Sequence, residues 1–587
     1  MKTHKFIKQT LELITSDNKK KLLLAIPVSI LLSLLDLLGV ILLGTLGTFS
    51  FKLLSGDTKP TRLELVLKSI LPIDLSQINF MISISVLAVF LLILKTLSQL
   101  YFNFKLSRFL ANQETLISIN LFEKILHSNS RKVLSSNVTE YQYALLTGSA
   151  RLVSSVLGGL LTAFTDGISI LILGFFAFFI SPAAFLGALC VFLIVYLISG
   201  KFIRNKAEEY GSQSQEYSMV AHGSVIESIR GFKELKVYDK VDDALLKFST
   251  SRSNLSLINQ KTSWLSNILK YVFEIAILIS AIVCGGILIY TTDARRTITV
   301  VFIFLAMGFR LIPSIQRLQN SFIGFRNIIG SSQKLFYFNQ KFSDSILDKS
   351  VELLNEEKCK IDSILLSNIS LKNPDNTKKL ILDDISLELK IGKVVALIGQ
   401  SGSGKTSLAD LIVGLNSPTS GEVSYLAQGK VINSKLVSKG YVNQSPAMYG
   451  ASLFENISFG VKNKSVDIER ILNILKDLNL SDFAWEDEDG QIKTREISMD
   501  STNISGGEKQ RIAIARALYA DSNVIVLDEP SSALDKISQN LLISAISKIR
   551  QNRIIIIITH SDRLTSVCDH VVELNKGRII NEFNNNS

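Results

Sequence analysis

Cysteine is nearly absent from the 587 residues, and its scarcity closes off two fold classes. The four present, Cys190, Cys284, Cys359 and Cys568, lie far apart and form no C-x-x-C pair, which argues against both a disulfide scaffold and a zinc ribbon. Charge is also thin for a soluble chain. Asp, Glu, Lys and Arg make up 20% of the residues, hydrophobic residues make up 47%, and the mean hydropathy is +0.31. Those values exclude disorder and point to lipid as part of the solvent. There is no internal repeat, and the only low-complexity tract is the terminal Asn584-Asn585-Asn586. An excess of acid is lacking as well, since the formal net charge is +11. Residues 1–340 hold 34 Lys and Arg against 20 Asp and Glu, whereas the remainder holds 29 against 32. A basic chain could bind nucleic acid, but here the basic part is also the apolar part. Basic residues flanking apolar spans are what a membrane protein carries on its cytoplasmic side, so no nucleic-acid partner is expected.

What the first half does have is long apolar runs. Leu22 to Phe49 carries one charge, Asp36, and about 20 apolar residues suffice to cross a bilayer. The run is too long and too far from the start for a signal peptide. Similar runs cover 79–103, 154–180, 183–203, 267–291 and 297–320, so with 22–49 the pattern predicts six spans in a transmembrane domain over 1–340. Lys19, Lys20, Lys21 and the basic connections 104–153 and 204–266 place both termini in the cytoplasm, although Arg295 and Arg296 on the outer side run against this. Residues 1–16 read as an amphipathic helix at the inner interface. A polar linker over 341–357 leads to a second domain over 358–587, where short apolar strands alternate with helical patterns, the sign of an α/β fold.

Phosphate chemistry is concentrated in that second domain. The buried-strand run Val394–Ile398 leads into Gly399-Gln400-Ser401-Gly402-Ser403-Gly404-Lys405-Thr406, a complete G-x-x-x-x-G-K-[ST] loop with Ser407 following it into a helical pattern. The glycines let backbone N–H groups wrap phosphate oxygens, Lys405 neutralises the β- and γ-phosphates, and the Thr406 hydroxyl is a Mg²⁺ ligand. A second buried run, Val524–Leu527, ends in Asp528 and Glu529. Asp528 suits the Mg²⁺ shell, and Glu529 is placed to polarise an attacking water. Between them Ser505-Gly506-Gly507-Glu508 opens a helical run, and paired glycines at a helix start form another anion site.

The stretch Ile504–Arg511 resembles the signature motif of the ATP-binding cassette (ABC) transporters. On that resemblance Gln444, within Tyr441–Pro446, matches the Q-loop that touches Mg²⁺ and the catalytic centre. Ser532-Ala533-Leu534-Asp535 matches the D-loop, and His560 the switch histidine. The likeness covers the whole chain, because six helices ahead of one cassette is the layout of an exporter half-transporter. It implies an all-α six-helix transmembrane domain followed by an α/β P-loop cassette. It also implies ATP and Mg²⁺ as cofactors, and an ATP hydrolase coupled to translocation in a bacterial cytoplasmic membrane, with the cassette in the cytoplasm. Two cassettes would close head to tail, each ATP held by Lys405 of one and Ser505 of the other. Every catalytic position is intact, so a second copy of this chain is the simplest partner. Three positions depart from the family. Asn373 stands where an aromatic residue usually stacks on adenine, Glu508 replaces the commoner Gln, and Thr494–Asp500 only approximates the usual acidic loop. Tyr141–Leu146 and Gly231–Lys236 read either as coupling helices or as solvated loops.

The substrate is less legible. Phe309–Arg317 resembles the sixth-helix segment of bacterial flippases for lipid-linked oligosaccharides, which suggests export or flipping of an amphipathic substrate such as a glycolipid. Export of a peptide or drug, and an ATP-gated channel or regulator, stay open. A leader-cleaving peptide exporter is not expected, since no cysteine-protease domain is read ahead of the first span. Asp36, Lys95, Asp166, Glu274 and Arg310 fall inside the expected spans, where ionisable groups pair or face a wet cavity. Arg310 and Arg317 share one helical face with Pro313 between them. Either Arg317 snorkels to the inner interface and Arg310 pairs with an acid such as Asp36 or Glu274, or, among the membrane lipids, this face binds the anionic head group, such as a pyrophosphate, of a lipid-linked substrate from the cytoplasmic side.

Overall fold

The computed structural model describes residues 2–13, 18, 20, 25–55, 77–291, 294–343, 359–373, 379–449, 452–459, 466–487, 491–498, 503–531, 534 and 536–585. The chain divides into two compact units, one comprising Met1–Ser128 and Lys132–Leu347, the other Asn129–Arg131 and Asp348–Ser587. Most of the expected linker, residues 344–357, lies outside the described residues.

In the first unit a short helix, α1 (Lys2–Glu12), precedes six long helices among the described residues. These are α2 (Ala25–Ser55), α3 (Gln77–Leu126), α4 (Val138–Ile180), α5 (Pro182–Arg230), α6 (Val241–Thr291) and α7 (Ala294–Ser331). The expected spans 79–103, 154–180, 183–203, 267–291 and 297–320 each fall within one of them, and α2 holds 25–49 of the first, whose residues 22–24 lie outside the described residues. Helices α3, α5 and α6 nevertheless reach 50, 49 and 51 residues, well past what a bilayer takes. Their polar ends carry no proline, so the helix continues where the apolar pattern stops. By length and composition alone, Ser85–Leu126, Val138–Ile180 and Val241–Ile287 are apolar enough to cross a membrane, with shorter apolar stretches at Ala25–Gly39 and Pro182–Val195.

Helix α4 contains two π-helical turns, Tyr143–Gly148 and Val153–Gly158, on either side of Ser149–Leu152. Tyr143 and Ala144 are buried there, so Tyr141–Leu146 is not a solvated loop. Phe232–Val237 is a short helix without buried residues. Helix α1 packs on the bundle. Its Phe6 is buried, with ring centroids 5.8 Å from Phe325 and 5.1 Å from Phe336.

The second unit contains a four-stranded antiparallel sheet, order β2-β1-β4-β5, and a six-stranded sheet, order β12-β11-β3-β10-β9-β6. The first holds β1 (Ser363–Lys372), β2 (Leu380–Lys390), β4 (Ser420–Ala427) and β5 (Lys430–Ile432). The second holds β3 (Val394–Ile398), β6 (Lys439–Val442), β9 (Val524–Asp528), β10 (Ile554–Ile558), β11 (His570–Asn575) and β12 (Arg578–Asn584). A hairpin of β7 (Ala484–Glu486) and β8 (Ile492–Thr494) stands apart. Strands β11, β3, β10, β9 and β6 are parallel, and β10 is five isoleucines, all buried. A parallel strand covered on both faces reads as such a continuous apolar run.

Helices α5 and α7 approach closely through glycine. A Cβ added at Gly211 would lie 1.9 Å from the Asn327 carbonyl oxygen, and one at Gly330 would lie 2.4 Å from that of Glu208. Backbones can meet this closely only where side chains are absent. Gly211→Ala should force the two helices apart, a destabilisation of about 1–3 kcal/mol by the usual scale of overpacking. Thermal unfolding of the purified full chain measures it, and an unchanged midpoint would contradict the close approach.

Candidate nucleotide site and membrane cavity

The sheet order β3-β10-β9-β6 sets four strand ends side by side, at the edge where open α/β sheets bind ligands. Strand β3 runs into Gly399–Gly404, β10 towards His560, β9 into Asp528 and Glu529, and β6 towards Gln444. The sheet thus gathers residues that are distant in sequence.

Glycine is required in the first of these loops. Gly404 adopts φ +107° just ahead of helix α8 (Lys405–Ile412), and a Cβ there would lie 2.7 Å from Leu382 Cδ2. At Gly399 a Cβ would lie 2.1 Å from the Leu574 carbonyl oxygen. Lys405 Nζ donates to the carbonyls of Gly399 at 2.7 Å and Gln400 at 3.0 Å, which folds the ammonium into the loop. Burial holds its pKa below the usual lysine range, against the pull of Glu529 and Asp528. Thr406 is exposed on the first turn of α8, Ser407 is half-buried, and Ser403 Oγ is buried without a hydrogen-bond partner among the described residues.

Glu529 is where the motifs converge. Its backbone has φ +46°, an uncommon conformation for a residue with a side chain, and its N–H donates to the Ile558 carbonyl at 2.9 Å. Gln444 Nε2 donates to Glu529 Oε2 at 2.7 Å, and His560 Nε2 stands 3.8 Å from Oε1. Asp528, one residue earlier, accepts from the Tyr441 hydroxyl at 3.1 Å. Burial pushes the Asp528 carboxyl above the usual range, the Tyr441 bond opposes this, and the neighbouring Glu529 charge adds to it.

Two contributors went unnoticed in the sequence, Tyr441 and Gln510, whose Nε2 donates to the Glu529 carbonyl at 3.3 Å. Tyr441 sits in the same short run as Gln444, and the parallel pairing of Tyr441 with Val526 and Val442 with Leu527 brings it beside β9. Only a prediction of strand order could have revealed it.

Ser505 caps helix α9 (Gly506–Tyr519), and Glu508 completes a capping box. The Ser505 hydroxyl accepts from the Glu508 N–H at 3.3 Å, and the Glu508 carboxylate accepts from the Ser505 N–H at 2.6 Å. A carboxylate oxygen fills this place as readily as an amide oxygen, which accounts for Glu508 where Gln is commoner. A Cβ at Gly507 would lie 2.8 Å from Leu534 Cδ2. The rest of the expected D-loop, Ser532, Ala533 and Asp535, lies outside the described residues. Asn373 ends its strand by donating its N–H to the Lys379 carbonyl at 2.9 Å. The acidic-loop positions Met499 and Asp500 also lie outside the described residues.

A second site lies in the first unit. A cavity of about 670 Å³ is walled by α2, α3, α4 and α7. Arg317 closes a two-point pair with Asp166, Nε to Oδ2 at 2.9 Å and Nη2 to Oδ1 at 2.6 Å. Lys95 Nζ lies 3.0 Å from Asp36 Oδ2. All four side chains line the cavity, whereas Glu274 does not. The side chain of Arg310 lies outside the described part of the structure.

Residues 22–311 match the family model described as the ABC transporter transmembrane region, and residues 382–532 match the ABC transporter cassette model. Among curated proteins, the heterocyst differentiation ATP-binding protein HepA of Nostoc sp. is 29% identical over 379 residues, 61% of this chain and 58% of that protein. The ATP-dependent lipid A-core flippase of Psychrobacter arcticus is 35% identical over 226 residues, 38% of this chain and 37% of that protein. The chain thus spans little more than half of the first relative and less of the second. A solved bacterial Atm1-family ABC exporter with ATP bound has the same fold, with a TM-score of 0.73, 17% identity and coverage of 97% of this chain and 96% of that one. With its helical membrane region and ATP-binding cassette joined in one polypeptide, the chain belongs to the ABC transporters.

Proposed function

We propose that this chain couples ATP hydrolysis to the export or flipping of an amphipathic substrate, a lipid-linked oligosaccharide or other glycolipid. It works as a dimer of two copies in a bacterial cytoplasmic membrane, with the cassette in the cytoplasm. The observation that carries the reading is Glu529, an acid at the end of β9 touched by Gln444 and approached by His560 beside the phosphate loop. Glu529 accepts the proton of the attacking water, and His560 lies where it can steady the γ-phosphate. The loop amides and Lys405 hold the β- and γ-phosphates. The oxygen donors of Thr406, Asp528 and Gln444 suit a hard cation, and the single charge of Lys405 acts on both of the adjacent carboxylates, Asp528 and Glu529. Mg²⁺ held there would neutralise phosphate charge as it develops.

The cassette at 382–532 supplies one set of these motifs, and on this reading a second copy of the chain completes each site. Its Ser505-Gly506-Gly507 turn, a helix start capped by Ser505 in a capping box with Glu508, faces the nucleotide bound at Lys405. The glycolipid reading is supported by the relative named as a lipid A-core flippase and by the polar cavity among apolar helices.

Glu529→Gln should bind ATP normally but turn it over roughly 10²-fold more slowly or worse, the scale of a lost general base. Lys405→Ala should instead weaken binding itself. Steady-state ATPase and nucleotide titration separate the two, and near-normal hydrolysis by Glu529→Gln would defeat the assignment. At Asn373, the absence of a stacking ring should leave ATP and GTP poorly distinguished. Asn373→Tyr should tighten ATP by up to about 1–3 kcal/mol, the range for a base stacked on an aromatic side chain. Unchanged affinity would show that this position does not meet the base.

A further inference from the structure

From the membrane cavity and the groove beside it, we infer one two-part site for a lipid with an uncharged, hydroxyl-rich head group and an apolar tail. This deepens the glycolipid reading above and rests on it. The first observation is that the charges lining the cavity cancel within it. Arg317 gives both Nε and Nη2 to Asp166, and Nη2 also donates to Ser314 Oγ at 3.1 Å. The Asp166 side chain is only 8% exposed, so a phosphate that drew Arg317 away would leave a nearly buried carboxylate unpaired. That is the costly way to break such a pair. The Lys95–Asp36 pair is sheltered at both ends, with side chains 12% and 9% exposed, whereas the Arg317 side chain is 54% exposed. At Lys95, and at the two Arg317 nitrogens that meet Asp166, an anion must compete with a carboxylate, whereas a sugar hydroxyl, both donor and acceptor, joins a pair without breaking it.

The second observation is what surrounds the pairs. The Ser33 and Ser169 hydroxyls meet at 2.6 Å and those of Thr162 and Ser321 at 2.5 Å, while the amides of Asn103 and Asn320 line the same space. Each of these groups offers a hydrogen bond without a net charge. The third observation is continuity. A mostly apolar groove of about 780 Å³ lies beside the cavity, shares Leu32, Phe102 and Leu106 with it, and carries one cation, Lys105, whose Nζ lies 5.5 Å from the Tyr101 ring centroid. Leu31, Leu97 and Tyr101, exposed on the groove, present the surface an acyl chain would cover. A polar chamber opening onto an apolar slot matches a lipid head joined to its tail, and neither a uniformly polar peptide nor a compact apolar drug uses both.

The test uses the full chain in nanodiscs and three lipids with identical acyl chains: diglucosyl diacylglycerol, diacylglycerol and phosphatidylglycerol. ATPase stimulation should be severalfold with the glycosyl lipid and absent with the other two. Asp166→Asn, which releases the Arg317 charge, should move the preference towards phosphatidylglycerol. The wild-type comparison alone decides the matter if that variant does not fold. A stronger response to phosphatidylglycerol in the wild type, or a folded Asp166→Asn whose preference is unchanged, would overturn the head-group inference and leave lipid export standing. Stimulation by amphipathic peptides and by none of the lipids would overturn the glycolipid reading along with it.

Discussion

The register of one strand governs the cassette unit. Strand β10, five isoleucines buried on both sides, lies between β3 and β9, pairing Ile555 with Val394 and Ile554 with Val524. Five identical buried side chains tolerate a one-residue slip, so the register is held by what flanks them: a slip would carry Arg553 away from Asp521, 3.2 Å from its Nη2, and into the buried run. From that register follow the neighbouring ends of β3 and β9, the turn that holds Glu529 at positive φ, and the meeting of its carboxylate with Gln444 and His560. Chemistry at this edge is thus set by strand pairing that begins several residues away.

The membrane unit obeys the opposite constraint, since its buried charges must find partners. Asp36 and Asp166, on separate helices, are each met by a cation from another helix, Lys95 and Arg317. Such pairs are weak as a source of stability and stronger as a means of specifying how helices register. They stand beside helix contacts made through glycine, as at Gly211 and Gly330, where backbones rather than side chains meet. Together these features leave a polar chamber inside an otherwise apolar bundle.

How much of this was legible in the sequence follows from the range of the interactions. Gly399–Thr406, Asp528 with Glu529, and Ser505–Glu508 are contiguous, so each could be read where it stands. The helix count was legible from apolar runs, but the helix ends were not, because apolar residues mark the lipid and not the helix. The partner of Arg317 lies 151 residues away, and no local pattern distinguishes Asp166 from the other intramembrane acids. Tyr441 escaped notice for the same reason, since its bond to Asp528 exists only once β6 lies beside β9. The two π-helical turns of α4 and the docking of Phe6 likewise depend on tertiary packing.

The central claim is that hydrolysis at this strand edge drives lipid movement through the membrane unit. Reconstitution of the full chain in vesicles holding a fluorescent diglucosyl diacylglycerol in one leaflet tests it most directly. Transfer to the other leaflet should require ATP, and a non-hydrolysable analogue should not support it. Transfer at the same rate with no nucleotide, or with the analogue, would contradict the account.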